Sequence, residues 1–98
     1  MFTRLTIVQC KIDKIDEAIK IFEESVVPAV KSEKGYRGVY LLINRETGKG
    51  ISITAWDSEQ DAIANEQSGD YQKRLAKFKE LFTAPPVREG YEVVVAHD

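Results

Sequence analysis

Residues Val39-Tyr40-Leu41-Leu42-Ile43 form a strand-like run that is apolar on both faces. Side chains alternate along a strand, so Val39, Leu41 and Ile43 share one face and Tyr40 and Leu42 share the other. Such a strand has to be covered on both sides. It begins after Gly35, turns over Asn44 to Gly50, and pairs with Ile51 to Trp56 as a predicted hairpin. Ser58 then reads as a helix N-cap, with Glu59 and Asp61 in the first turn. A chain of 98 residues buries only roughly 60–65% of its unfolded surface. One small core is available, so assembly enters the question together with fold.

The rest of the chain supplies the partners. Phe2 to Cys10 is rich in β-branched residues and reads as a strand, Leu5 and Ile7 opposite Arg4, Thr6 and Val8. Asp13 is expected to cap a helix in which Ile15, Ala18, Ile19, Phe22, Val26 and Val30 recur at helical spacing. Pro28 should kink it, and Gly35 should end it in the left-handed conformation. Two glycines in the hairpin turn, Gly48 and Gly50, suit positive-φ positions. A short helix from Glu59 is interrupted at Ser68-Gly69-Asp70. A second segment, Tyr71 to Phe82, carries Tyr71, Leu75, Phe78 and Phe82 on one face, with Lys73, Arg74 and Lys77 mostly on the other. Pro85-Pro86 stops it, and Val87 to Ala96 reads as a last strand, with His97 and Asp98 as tail. The order β-α-β-β-α-β predicts one α+β domain over residues 1–98 with a ferredoxin-like, antiparallel four-stranded sheet.

Composition excludes several functions. The formal net charge is −2, with Lys and Arg scattered among acids. Without a basic stripe, neither nucleic acid nor an anionic membrane is an expected partner. One cysteine, Cys10, cannot form an internal disulfide, and a reducing, cytoplasmic setting is expected. The N-terminus reads directly as a strand rather than as a signal peptide. No P-loop, GxGxxG, CxxC or HExxH pattern is present, so nucleotide and zinc chemistry lack support, and no cofactor or metal is expected. The helix acids Asp13, Asp16, Glu17, Glu23 and Glu24 read as a solvated face.

In this topology both helices lie on one face of the sheet. Nothing remains to cover the other, although the second and fourth strands are apolar on both sides. Left open, that face would be an apolar patch on the order of several hundred Å². A two-fold homodimer packed sheet to sheet is the simplest cover. The competing reading is a monomer whose open face is diluted by Arg4, Thr6, Arg37, Ser52 and Thr54.

Pro28-Ala29-Val30, Gly35-Tyr36-Arg37-Gly38 and the run Ile53-Thr54-Ala55-Trp56-Asp57-Ser58-Glu59-Gln60-Asp61-Ala62 resemble the antibiotic-biosynthesis-monooxygenase-like family of the dimeric α/β-barrel superfamily. The resemblance covers essentially the whole chain. It implies a homodimer whose sheets form a barrel, with a cavity between sheet and helices in each subunit. Some members of that family oxidise aromatic polyketides without a cofactor, and others degrade haem. Trp56 matches the family tryptophan. Polyketide-oxidising members pair it with an Asn four residues earlier and a Tyr six residues later, where this chain has Ser52 and Ala62. Haem-degrading members carry a second Trp nine residues on, here Asn65, and a ligating His in the second helix, which here has none; His97 is the only histidine.

On this basis Trp56, Tyr40 and Tyr71 are the expected pocket residues, with Arg4 or Arg37 as partner to an anionic substrate. Each also has a structural reading: Trp56 as a core hinge, the tyrosines as interface groups, the arginines as ion-pair members. Arg88 beside Glu89 reads as a solvated pair, and Cys10 as a buried side chain with no base beside it. Two functions are expected to compete. One is monooxygenase-like oxidation of a small planar aromatic compound. The other is a non-catalytic, small-ligand-binding or stress-related dimer.

Overall fold

A computed structural model describes residues 1–97; Asp98, expected in the tail, lies outside the described residues. The fold is α+β and ferredoxin-like. Strands β1 (Phe2–Gln9), β2 (Tyr36–Ile43), β3 (Lys49–Trp56) and β4 (Val87–Glu92) form one sheet in the order β2-β3-β1-β4. Every neighbouring pair is antiparallel. Helices α1 (Ile15–Ile21) and α2 (Val27–Lys31) precede β2, and α3 (Glu59–Gln67) and α4 (Gly69–Ala76) precede β4. No helix among the described residues is long and apolar enough to cross a membrane.

Local chemistry explains the joints. Pro28 sits in the first turn of α2. Its missing N–H is accommodated by a π turn over Phe22–Val26, closed when Val27 N–H donates to the Phe22 carbonyl. Gly35 adopts φ +84° as the sequence suggests. Gly48 also takes positive φ, but Gly50 does not. Gly50 lies inside β3, where a Cβ would press on Ile43 and Val8. Ser58 and Ser68 cap α3 and α4 by accepting from the backbone N–H of Asp61 and Tyr71.

Three expected boundaries move. Asp13 makes no cap; it falls in a 3-10 turn, Ile12–Lys14, ahead of α1. The segment expected to stay helical to Phe82 ends at Ala76 and tightens into a 3-10 turn, Lys79–Leu81. There the chain is taken over by the end of β1: Lys11 N–H donates to the Leu81 carbonyl and Thr83 N–H to the Gln9 carbonyl, both at 2.8 Å. The last strand stops at Glu92, not Ala96, because Glu92 already faces Phe2 at the start of β1. Beyond it, Val93 N–H donates to the Met1 carbonyl at 2.9 Å.

The largest correction concerns the faces of the sheet. Arg4, Thr6, Ser52 and Thr54 do not dilute the open face; they line a cavity beneath the helices. The open face therefore carries the alternate residues. Across the strands run Tyr40, Ile53 and Leu5, then Leu42, Ile51, Ile7 and Val87, in direct register. Tyr40 is 67% exposed, Leu42 47% and Val87 55%.

Candidate functional site

The cavity lies between the sheet and the helices and has a volume of about 100 Å³. Its floor is the inward row of β1, β2 and β3, and its roof is the apolar stripe of the helices. Phe22, Val26, Leu41 and Phe78 supply apolar walls. Trp56 closes one side at the end of β3 and is only 1% exposed. Cys10 also lines the space, and burial pushes its thiol pKa upward, away from the reactive thiolate.

One polar cluster interrupts the apolar lining. Arg4, from the first half of β1, pairs through Nε with Glu66 Oε1 near the end of α3, and neither atom has another hydrogen-bond partner among the described residues. Gly90 makes room for this arginine: a Cβ there would stand 2.6 Å from Arg4 Nη1. Glu66 Oε2 also faces Arg88 Nη2 at 3.9 Å. Arg88 Nη1 donates to the Tyr71 hydroxyl oxygen at 3.0 Å. That bond, more than any other contact, raises the Arg88 pKa. Arg74 Nη2 donates to Asn65 Oδ1 at 3.1 Å, tying α4 to α3. Two guanidinium groups lie near the Tyr71 ring, the Arg74 and Arg88 Cζ atoms 5.7 and 5.5 Å from its centroid.

Of the five expected site residues, the cavity brings together Trp56, Tyr71 and Arg4. Tyr40 is on the opposite, helix-free face. Arg37 lies outside the lining, its Nε 2.7 Å from Asp57 Oδ1, with both side chains more than half exposed. Bending at the start of β2, where the register shifts between Tyr36 and Gly38, accompanies this placement. His97 is exposed beyond β4. Arg88 is not the solvated partner of Glu89; Tyr91 O–H donates to Glu89 instead, at 2.8 Å.

Asn65, Glu66 and Arg74 were not expected here. By charge, Arg74 belongs to the solvated side of its helix. It lies three residues after Tyr71 and four before Phe78, a spacing that places it on their face. Asn65 and Glu66 stand three and four residues after buried Ala62, by the same rule. Charge disguised a position that spacing revealed.

A family model described as antibiotic biosynthesis monooxygenase matches residues 1–77. Two curated relatives, uncharacterized proteins from two Mycobacterium tuberculosis strains, are each 31% identical over 98 residues, 99% of this chain. The chain spans 42% of their length. A crystal structure named antibiotic biosynthesis monooxygenase superposes with a TM-score of 0.79 at 12% identity, covering 97% of this chain and 100% of that one. A second Mycobacterium tuberculosis protein superposes equally well, TM-score 0.79 at 15% identity, covering 99% and 98%. At these identities the structural likenesses establish the fold.

Proposed function

Because this chain belongs to the antibiotic biosynthesis monooxygenase family, we propose that it is a monooxygenase-like protein that takes a compact, single-ring aromatic molecule into the cavity beside Trp56 and oxidises it without a cofactor. The observation that carries this reading is the cavity itself, apolar on most of its walls and furnished with one cluster of donors at Tyr71, Arg4 and Arg74. A cofactor-free oxygenase relies on a substrate that, as its anion, gives an electron to O₂. One oxygen atom is then retained as a ring carbonyl and the other leaves as water. The protein supplies a dry site and donors that favour the anion.

Size narrows the substrate. Ligand pockets commonly span about 300–1,000 Å³, and this one is about 100 Å³. A dry cavity of about 150 Å³ admits benzene, so one ring enters only if the walls give slightly. A fused polyketide is too large. Oxygen uptake with a panel of single-ring quinols and larger flavonoids tests the reading. Uptake is expected with the single rings, falling about tenfold or more in Ser52→Phe, which fills the cavity floor. No uptake by the wild type with any quinol would refute it.

A second reading is a non-catalytic, small-ligand-binding protein of the same family. Ser52 and Ala62, in place of the amide and phenol that polyketide oxidation uses, favour it. Saturable binding of a ring without oxygen consumption would decide for it. In both readings the chain acts as a homodimer closed over the helix-free face, supported by the exposed apolar rows there.

A further inference from the structure

We propose that Arg74 forms an anion subsite that makes the cavity selective for compact aromatic carboxylates. The inference deepens the reading above and rests on the cavity admitting a ligand. Arg74 is only 8% exposed. Its Nη2 is satisfied by Asn65, but Nη1 is buried and has no hydrogen-bond partner among the described residues. No carboxylate pairs with it among the described residues. Glu66, the one acid lining the cavity, is engaged by Arg4 and faces Arg88. Two guanidinium groups, those of Arg4 and Arg88, thus share the one carboxylate, and the third, Arg74, has no share of it and is the most buried.

An unpaired, desolvated guanidinium is costly. Water would satisfy its N–H but not its charge. A carboxylate satisfies both, with a short charge-assisted bond and planar oxygens matched to the guanidinium fork. Phe22, Val26, Leu41 and Phe78 along the remaining walls suit a hydrocarbon ring rather than a hydrated inorganic anion. The Tyr71 ring, with the Arg74 Cζ 5.7 Å from its centroid, adds an aromatic wall beside the subsite. The molecule that meets these demands is an aromatic acid of benzoate size, carrying a ring hydroxyl where it is also to be oxidised.

Calorimetric titration of the full chain with benzoate and its neutral isostere benzamide tests the subsite. Benzoate is expected to bind about tenfold or more tightly than benzamide, as a charge-assisted bond to a buried arginine implies. The preference should persist at about 0.15 M salt, because a buried pair is weakly screened. In Arg74→Met the ratio should fall to about one. Equal binding of the two probes by the wild type, or an undiminished preference in Arg74→Met, overturns the subsite and leaves the cavity reading standing. Failure of both probes to bind the wild type overturns both. Should Arg74→Met not fold, the side-chain resonances of Arg74 in the wild type serve instead. They should shift with benzoate and not with benzamide, and the absence of a benzoate-specific shift refutes the subsite.

Discussion

Glu66→Leu is expected to lower folding stability by about 3 kcal/mol, the low end of the roughly 3–5 kcal/mol seen when one member of a buried ion pair is removed. The low end applies because the Arg4 and Glu66 side chains retain 19% and 12% of their exposure. The loss arises on the side left behind. Arg4 stays beneath the helices, threaded past Gly90, with no acid at its Nε. Arg88 loses its nearest carboxylate as well. Removing both members, as in Arg4→Met with Glu66→Leu, should recover most of the loss, since apolar replacements of buried pairs are often neutral or better. Urea denaturation of the wild type and both variants at one fixed protein concentration measures the effect. A single variant within about 0.5 kcal/mol of wild type, the range of ordinary surface changes, would show that the pair does not hold the cavity wall.

Leu42→Asp is expected to turn a dimer into a single subunit. Leu42 lies in the row with Ile51, Ile7 and Val87 on the helix-free face. In the isolated subunit it is 47% exposed, so an aspartate there costs the fold little. Against a second copy the same aspartate is desolvated with no cation opposite. Across the two-fold axis the penalty occurs twice. About 4 kcal/mol in total raises Kd about a thousandfold. At micromolar concentration the wild type should sediment at twice the 11.1 kDa subunit mass, and Leu42→Asp at the subunit mass. A wild type that sediments as one subunit would refute the dimer.

Much of the fold was legible because its signals are local. Ser58 before Glu59 announces α3, Gly35 announces the end of the first helical segment, and the two-sided apolar run announces β2. What was not legible depends on partners. The end of β4 is set by where β1 begins, which no residue after Glu92 records. The π turn over Phe22–Val26 is the particular way Pro28 is absorbed, and the proline alone specifies only that something must yield. The faces of β1 and β3 misled for a physical reason. A polar row normally faces water, but here Arg4, Thr6, Ser52 and Thr54 face inward because Glu66 and a cavity receive them. For the same reason the site was only partly foreseen. Trp56 and Tyr71 stand out as aromatics at element ends and helical spacing. Arg74 and Glu66 look like surface charge until their spacing from Phe78 and Ala62 is weighed above their chemistry. Tyr40 was drawn in by its aromatic type, whereas its register places it beyond the sheet from the cavity.

The cavity is a binding site only if a ring enters beside Trp56. This is the only tryptophan, so its indole Nε1–H gives one resolved proton resonance that reports on the cavity. Titration with hydroquinone should move that resonance saturably in the wild type and leave it in place in Ser52→Phe. An unmoved resonance in the wild type, or the same displacement in both proteins, would contradict binding there.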